Sequence, residues 1–516
     1  MSNRQIINKR LLLSLLVGVC MLLLLAACGK SNNEEEGSTA SPKESSNATK
    51  QPESSSNSGS PAKVSIMLPQ YTTEAPKPDN PGILKIEEHT GVDLDLIWVP
   101  GEAYDDKLNA TMASGGLPQV ITVLDNKDGN IVNGVRSGMF WEIGPYIQDY
   151  PNLSKIKNEV YSNISVDGKV YGLPRSRPIS RPGVIFRKDW LDALELKAPE
   201  SIDDIYTILK AFTTQDPDKN GKPDTFGWST SQYGFDTLSI LFGAPNIWGV
   251  KDGKIVPSFK TPEYLEAMKF QKKLYDEKLI NQDFLIVNDG FLNYMNQGKT
   301  GMLLVEMDAV TTARFNDLKK LDPKAELDII SPISGPHGTF TVGGQGFGGV
   351  VMFPKTSIKT EEELKMVLQF YDKLGDEAIQ DMTKYGVEGN TYKMENGVPN
   401  VNLELYNADI NPLNQVMVQF GLFDAKLGDK PMETKWKNLI VENEKYAVYD
   451  PTVPLISKTF TEKGAQLQTE IEDARNKFLI GELDEAGWNK AIETWSNNGG
   501  KQIEEEFTAD YAKSQN

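Results

Sequence analysis

The alternation of apolar and polar positions after residue 62 predicts short strands separated by amphipathic helices. VSIML, which begins at Val64, is a compact apolar run, and VDLDLIWV at 92–99 alternates as a half-buried strand does. Between and after them the pattern predicts a helix from Pro81 to Gly91, a helix over 103–114 and a strand at 119–124. Strands separated by helices in this order are typical of a parallel sheet with crossover helices, so the sequence predicts an α/β fold.

Capping signals and apolar stripes extend this pattern to the end of the chain. Helix starts are predicted where Ser201 precedes Asp204 by three residues, at Thr261-Pro262, and where Thr360 precedes Glu363 by three residues. Apolar runs at 300–306 and 349–353 predict buried strands. The last hundred residues are predicted to be mostly helical. Their helically spaced residues favour core packing over a ligand role: Trp488, Ala491, Ile492 and Trp495.

The first 28 residues have the pattern of an export signal. Three basic residues precede the apolar run Leu11–Leu25, which is too short for a typical spanning helix and suits the apolar core of a signal peptide. Two alanines and Cys28 follow, and this ending resembles the bacterial lipobox. The resemblance implies that residues 1–27 are a signal peptide and that Cys28 is lipidated, for example with palmitate. The alternative is a plain signal anchor with an incidental cysteine.

Residues 28–62 are predicted to be a disordered tether behind the lipidated cysteine. The segment is rich in Ser, Asn and Glu and has only a few alanines as apolar residues, too little to offset the entropy of ordering. By the random-coil relation, ~30 residues reach ~30 Å. We therefore expect the globular part of the chain to be held at the extracellular face of the cell membrane by the lipid on Cys28 and the flexible tether.

The amino-acid composition argues against several classes of function. The 516 residues include 54 Lys and Arg against 72 Asp and Glu, a formal charge of −18, which argues against nucleic acid as a partner. Only two histidines, His89 and His337, and two cysteines, Cys20 and Cys28, are present. This scarcity argues against a zinc site, a Cys–His nucleophile pair and a disulfide framework.

Three motifs in a fixed order carry a family resemblance. They are DGKVYGLP at 167–174, FRKDWL at 186–191 and DPDKNGKPDT at 216–225, with a weaker match in YGVEGN at 385–390. Together they resemble the bacterial extracellular solute-binding lipoproteins of ABC importers. The similarity is to the carbohydrate type, which includes LipO-like lipoproteins and alginate-oligosaccharide-binding proteins.

The resemblance implies a two-lobed, periplasmic-binding-protein-like α/β fold with an interlobe cleft and hinge crossovers. We place lobe 1 at 63–170 plus 338–405 and lobe 2 at 171–337 plus 406–516. The implied function is that of a monomeric, non-enzymatic receptor. It would bind an oligosaccharide, with acidic ones among the candidates, and pass it to ABC permease subunits. Because the sequence contains no G-x-x-x-x-G-K-[ST] motif, other subunits would hydrolyse the ATP.

Two other classes of function stay open at this point. A secreted carbohydrate-active hydrolase would need two carboxylates about 5–10 Å apart across a cleft, and the many acidic residues leave that possible. A sugar-sensing or adhesive surface lipoprotein would use the same body. A peptide ligand is a further alternative.

The third motif also predicts a structural calcium site. Its oxygen-bearing residues alternate as in an EF-hand loop, and Gly221 stands where that loop turns sharply. The usual bidentate glutamate is missing, because position 12 is Gly227. In the alginate-binding relatives a carboxylate just after the ninth position can complete the shell, and here that residue is Thr225. The alternative is an Asx-rich turn without metal. The predicted ligands are Asp216, Asp218, Asn220, the Lys222 carbonyl, Asp224 and Thr225.

Sugar clefts combine flat aromatic rings with polar groups that reach the hydroxyls. Trp248 is the first candidate platform because turn-forming residues surround it. An unusual run of arginines, 175, 177, 181 and 187, could meet acidic sugars or could pair with local acids. For each aromatic candidate, core packing is the competing interpretation. The predicted ligand-binding residues are Trp248, Tyr233, Trp141, Arg181 and Tyr71.

Overall fold

A computed structural model describes residues 61–72, 74–311, 313–418 and 430–514. The predicted signal peptide, Cys28 and the predicted tether up to residue 60 lie outside these ranges.

Strands and helices alternate from the start of the described chain. The first ten strands of the described chain are β1 (Ala62–Gln70), β2 (Val92–Pro100), β3 (Val120–Val123), β4 (Gly172–Ser176), β5 (Pro182–Arg187), β6 (Phe226–Trp228), β7 (Trp248–Lys251), β8 (Lys254–Pro257), β9 (Thr300–Glu306) and β10 (Leu327–Ile330). The later strands are β11 (Ser334–Gly335), β12 (Gly338–Thr339), β13 (Thr341–Gly343), β14 (Phe347–Met352), β15 (Tyr392–Glu395), β16 (Val398–Val401) and β17 (Ala447–Tyr449). The α-helices span Pro81–Thr90, Tyr104–Ser114, Gly129–Arg136, Asn158–Asn163, Lys188–Ala193, Ile202–Thr214, Gly234–Leu241, Pro262–Asp276, Leu292–Asn296, Asn316–Leu321, Glu361–Lys373, Glu377–Tyr385, Leu403–Asp409, Pro431–Asn443, Lys458–Leu479, Glu485–Trp495 and Lys501–Ser514.

The first sheet has the order β2-β1-β3-β14-β4. Its first three strands are parallel and are joined by the two predicted crossover helices, whereas β14 and β4 run antiparallel to their neighbours. The first of these helices begins where Asn80 accepts hydrogen bonds from two backbone N–H groups. It ends at Gly91, whose φ of 76° suits glycine. The sequence prediction of a parallel α/β core is confirmed for this part of the sheet.

The second sheet has the order β10-β5-β9-β6. The helix Ile202–Thr214 covers it after the predicted capping box, in which Ser201 and Asp204 bond reciprocally. This helix lies so close to β6 that a Cβ on Gly227 would stand 2.6 Å from the Leu209 Cα. Gly227 is therefore required by helix–sheet packing, which explains why no acidic side chain follows the predicted calcium loop at this position.

Each sheet has its own hydrophobic core, and together with its covering helices each forms one lobe. The core of the first lobe contains buried side chains from Val64 to Ile179 and from Val350 to Val418. The core of the second lobe contains side chains from Val184 to Ile333 and again from Leu455 to Phe507. The two-lobed architecture agrees with the predicted fold class.

The chain crosses between lobes later than the predicted boundaries at two of three places. Strand β4 belongs to the first sheet, although the prediction assigned 171–337 to the second lobe. Likewise Leu413, Met417 and Val418 pack in the first core, although 406–516 was assigned to the second lobe. The predicted change near residue 337 falls between the last second-lobe core residue before it, Ile333, and Val350 of the first lobe.

The C-terminal helices pack onto the second lobe. Trp488 stacks on Tyr264 with ring centroids 6.1 Å apart, and Trp495 meets Phe259 edge-on at 4.9 Å. Both tryptophans are buried, which confirms the prediction that they belong to the core. In the part of the chain that the structure describes, no helix combines the length and apolar character needed to cross a membrane.

Candidate functional site

A cavity of about 1570 Å³ lies between the two lobes. One wall comes from the first lobe, at Arg136 and along 158–170, and the opposite wall comes from the C-terminal helix of the second lobe. The floor is made by the two crossing segments around Ile179 and Gly343–Gln345, together with Tyr449–Ile456. The arrangement has the form of a ligand cleft between two bodies that are joined by a hinge.

A short parallel ribbon shapes the floor of this cavity. Strand β13 pairs with β17, so that Gly343 lies beside Tyr449. Gly343 permits this approach, because a Cβ there would lie 2.7 Å from the Val448 carbonyl oxygen. The Asn246 amide donates to the carbonyls of Gly343 and Val448 at 2.8 and 3.1 Å, which fixes the ribbon to the second lobe.

Three tyrosines line the cavity: Tyr161, Tyr449 and Tyr511. Tyr161 is buried and its hydroxyl donates to the Leu153 carbonyl at 3.0 Å, so it also stabilises the packing of the first lobe. Burial raises the pKa of the Tyr449 hydroxyl, yet 44% of the side chain is exposed. Tyr449 thus presents an aromatic ring to the cavity, the kind of surface that packs against a sugar face.

The positively charged side chains of the cavity wall already have carboxylate partners. Arg136 binds Asp167 through two hydrogen bonds of 2.9 and 2.8 Å, and these bonds lower the pKa of Asp167. Three lysines form single ion pairs: Lys157–Glu444, Lys458–Glu462 at 3.7 Å and Lys513–Asp510 at 3.2 Å, the last two each within one helix and with an exposed lysine. The wall therefore offers little uncompensated positive charge to a ligand.

Asp450 is a carboxylate on the cavity floor directly after β17. Its Oδ1 atom accepts hydrogen bonds from the Thr452 backbone N–H at 2.8 Å and from the Thr452 hydroxyl at 2.7 Å. Burial raises the pKa of Asp450 to about 6, although the two bonds from Thr452 act in the opposite direction.

Sequence reasoning did not identify Tyr449 or Asp450 as site residues. The strand that carries them is only three residues long, and its partner strand lies more than a hundred residues earlier in the chain. A short run such as AVYDPT has no apolar periodicity and no motif. Its position depends on a contact that a local pattern does not encode.

The structure places Trp248 in the core of the second lobe. Only 5% of the residue is exposed, and its ring meets those of Trp495 and Phe507 at centroid distances of 6.3 and 5.3 Å. The prediction that Trp248 is a sugar platform therefore does not agree with its position. The competing interpretation, core packing, explains why it is there.

Trp141 and Arg181 are also committed to contacts within the protein. The Trp141 indole N–H donates to the Ile358 carbonyl at 3.0 Å. The Arg181 Nη2 atom donates hydrogen bonds of 2.9 and 2.8 Å to the two carboxylate oxygens of Asp308. Of the two roles considered for the arginine run, contact with an acidic sugar and pairing with acids of the protein, Arg181 has the second.

Tyr233 and Tyr71 are 62% and 64% exposed, so their rings are available to a ligand. Neither lines the cavity described here, and neither do Trp248, Trp141 or Arg181. Within the described residues, the structure does not gather the five predicted ligand-binding residues at this site. Tyr233 and Tyr71 stay predictions.

The remaining arginines of the run have structural partners. Arg175 is buried and donates to the Gly348 carbonyl at 3.0 Å and to the Gln415 side chain at 2.8 Å. Arg187 binds Asp189 and Asp322. Arg177 donates to the Ser176 carbonyl at 2.8 Å, and burial lowers its pKa to about 9.

The predicted calcium loop is held together by its own polar groups. Asp216 accepts hydrogen bonds from the backbone N–H groups of Asn220 and Gly221 at 3.2 and 3.0 Å. The Asn220 amide nitrogen donates to Asp218 at 2.7 Å and to Asp224 at 3.1 Å. Burial and the neighbouring Asp216 carboxylate raise the pKa of Asp218.

The alternating oxygens of this loop have the chemistry that Ca²⁺ prefers, and Gly221 turns the chain at a φ of 77°. The hydroxyl of Thr225 donates to the Phe212 carbonyl at 2.8 Å and so has a structural role. The Asn220 amide nitrogen bridges two carboxylates in the arrangement seen here. Among the residues described, no three His, Cys, Asp or Glu side chains stand in a metal-binding arrangement.

Comparison with known proteins identifies the family of the chain. A sequence profile described as "Bacterial extracellular solute-binding protein" matches residues 71–380. Lipoprotein LipO of Bacillus subtilis (strain 168) is 39% identical over 481 residues, which is 89% of this chain and 94% of LipO. The polygalacturonan/rhamnogalacturonan-binding protein YtcQ of the same organism is 39% identical over 455 residues, 86% of this chain and 90% of YtcQ.

A solved structure supports the fold. The alginate-binding protein AlgQ2 without calcium ion superposes with a TM-score of 0.60 at 20% identity, covering 88% of this chain and 98% of AlgQ2. The resemblance to LipO-like and alginate-binding proteins is thereby confirmed. The chain belongs to the bacterial extracellular solute-binding protein family.

Proposed function

We propose that this chain is a lipid-anchored extracellular receptor that binds an oligosaccharide between its lobes and delivers it to ABC permease subunits. The observation that carries the proposal is the interlobe cavity with Tyr449 on its floor. The cavity is larger than the 300–1,000 Å³ or so typical of small-molecule pockets, which suits a ligand of several sugar units. The names of YtcQ and LipO agree with a saccharide ligand and a lipid anchor, respectively.

The proposed anchor is a lipid on Cys28, after removal of residues 1–27. Leu25, two small residues and Cys28 support this proposal, together with the relative that is named a lipoprotein. Acyl chains contribute about 0.8 kcal/mol of membrane binding for each buried CH₂. The polar segment that follows would let the receptor, as a monomer, search the surface near its permease.

We propose binding without chemistry at this site. A glycoside hydrolase needs one carboxylate to donate a proton and another to act on the sugar or on water. Of the cavity carboxylates, Asp167 is engaged by Arg136, Asp510 by Lys513, and Glu506 by hydrogen bonds from Ser457 and Thr459. These three acids have structural contacts that suit them poorly for proton transfer. Asp450 has no described cationic partner, so the assay for released sugars is the measurement that separates receptor from enzyme at that carboxylate.

We also propose that Ca²⁺ binds the loop at 216–225 as a structural ion. The carboxylates of Asp216, Asp218 and Asp224, the Asn220 amide oxygen and the Lys222 carbonyl would hold it. Bound Ca²⁺ would supply positive charge to a loop that otherwise crowds three carboxylates. The loop immediately precedes β6, so the ion would stabilise the second lobe and take no part in ligand chemistry.

The test is calorimetry on the full-length protein, purified in detergent, with a panel of defined plant and bacterial oligosaccharides. We expect at least one to bind and to raise the melting temperature. Tyr449→Ala should weaken that binding by about 1 kcal/mol, roughly fivefold, because an aromatic platform is lost. The measurement is the dissociation constant of each variant.

Two controls define this result. Tyr449→Phe keeps the ring and should bind as the unaltered protein does, and Tyr233→Ala removes an exposed ring outside the cavity. Equal affinity in Tyr449→Ala, or a larger loss in Tyr233→Ala, would move the binding site away from the cavity. Release of shortened sugars at useful turnover would show an enzyme instead of a receptor.

A further inference from the structure

Asp450 holds an unusual place among the carboxylates of the cavity. Both of its described hydrogen bonds go to Oδ1, from the two donors of Thr452, and among the described residues Oδ2 accepts none. The side chain is therefore fixed in direction by one oxygen while the other is left for the cavity. A carboxylate oxygen in this position is suited to accept hydrogen bonds from sugar hydroxyls.

Among the described residues, no cation pairs with Asp450. Burial is the largest cause of its raised pKa, and the other causes are only the bonds from Thr452. By contrast, Asp167 has the Arg136 guanidinium beside it and Asp510 has Lys513. An uncompensated negative charge in a partly desolvated cavity repels a second negative charge strongly.

The charge of the whole lining points the same way. The lining includes the cations Arg136, Lys157, Lys458 and Lys513 and the anions Glu159, Asp167, Asp450, Glu506 and Asp510, a balance of 4 − 5 = −1. All four cations have carboxylate partners. A ligand carboxylate would have to compete for them, whereas a ligand hydroxyl would not.

We infer that Asp450 is a specificity-determining residue that makes this cavity select a neutral sugar unit over a uronate at its floor. The inference rests on the proposed function, because it concerns the ligand of the same cavity. It replaces an acidic sugar, one of the ligands expected from the sequence, with a neutral sugar unit at this position. A uronate carboxylate would meet the free Oδ2 of Asp450, and a neutral unit would donate a hydroxyl proton to it.

Asp450→Asn is the appropriate variant. An Asn Oδ1 still accepts both bonds from Thr452, so the local turn is kept while the charge is removed. Asp252→Asn is the control, because it makes the same Asp-to-Asn change at an exposed turn outside the cavity lining. A melting curve for each variant verifies that it is folded.

The ligands should be matched pairs that differ only in charge. Each acidic oligosaccharide of a panel is tested beside its carboxyl-reduced form, for example tri-galacturonate beside the same trisaccharide with primary alcohols. We expect the neutral member of a bound pair to bind the full-length protein at least about tenfold more tightly at pH 7.5, as repulsion between close like charges requires. Asp450→Asn should reduce this ratio to about threefold or less, and Asp252→Asn should leave it nearly unchanged.

A pH series on the unaltered protein gives a second, independent readout. Uronate binding should strengthen as the pH falls from 8 to 5, because Asp450, with a pKa of about 6, becomes neutral while the uronate stays ionised. The same series should be flat between pH 7 and 5 in Asp450→Asn. Above pH 7 both proteins share the titration of Lys127, which donates to the Pro454 carbonyl and has a pKa of about 8. The other charged groups of the lining are present in both proteins and affect both pH series alike. They are Arg136, Lys157, Glu159, Asp167, Lys458, Glu506, Asp510 and Lys513.

The outcomes separate the two claims. An acidic member that binds as tightly as its neutral partner, or a ratio that Asp450→Asn does not change, overturns the inference and leaves the receptor function intact. If no member of any pair binds the unaltered protein, the proposed function fails, and the inference fails with it.

Discussion

The aromatic residues of the second lobe pack against one another across long stretches of the chain. Trp488 and Trp495, on the C-terminal helices, are buried in its core. Trp248 lies among turn residues, which suggests an exposed ring, but the C-terminal helices cover it with Trp495 and Phe507. The residues that neighbour Trp248 in the sequence do not indicate that residues near the C-terminus bury it.

The buried position of Trp248 leads to a stability prediction. Trp248→Ala should lower the free energy of unfolding by about 3–5 kcal/mol, because it removes a large side chain from a packed aromatic cluster. Thermal or urea unfolding of the full-length protein measures this change. Tyr233→Ala, at an exposed aromatic, is the control and should change stability by less than about 1 kcal/mol. Similar melting curves for Trp248→Ala and the unaltered protein would contradict the packing.

At the scale of elements, the strands and helices with strong local signals were predictable. The capping boxes at Ser201 and Thr360 form as expected, and Thr300–Glu306 is a strand with the predicted bounds. The antiparallel insertion of β14 beside β3 was not predictable, because strand direction depends on the crossing of the chain between lobes. The three-residue strand β17 was missed because its pairing with β13 is entirely non-local.

The loop at 216–225 is an element whose ion can be tested directly. We expect a calcium chelator to lower the melting temperature and added Ca²⁺ to restore it, because an ion that binds only the folded loop stabilises the folded state. Asp218→Asn should abolish this calcium-dependent shift, since it removes one predicted ligand. Asp252→Asn, which neutralises an acid in the exposed turn between β7 and β8, is the control and should keep the shift. A melting temperature that does not respond to chelation and calcium would leave the loop as a metal-free Asx turn.

At the scale of the whole molecule, the function depends on how two lobes with separate cores are tied together. The two cores followed from the family resemblance, but the exact crossings did not, because residues 172–179 and 410–418 carry no signal that assigns them to one lobe. One side chain ties the first lobe to the segment Tyr449–Ile456 on the cavity floor. Lys127, in the loop after β3, donates to the carbonyls of Ser165 and Pro454.

Lys127 is the contact through which closure can be tested. Burial lowers its pKa to about 8, so the ammonium is largely charged at neutral pH and its bond to the Pro454 carbonyl, at 3.2 Å, is charge-assisted. Lys127→Met keeps most of the length of the side chain and removes this hydrogen bond. The change should shift the ligand-free protein towards open forms and weaken ligand binding by about 1 kcal/mol, roughly fivefold. Small-angle X-ray scattering should show a larger radius of gyration without ligand and an unchanged one at saturating ligand, because bound ligand selects the closed form in both proteins. Lys155→Met is the matched control, since Lys155 bonds only to Asn152 of its own lobe among the described contacts. If both variants scatter and bind as the unaltered protein does, the lobes are held by their packed crossings, and Lys127 has no part in closure.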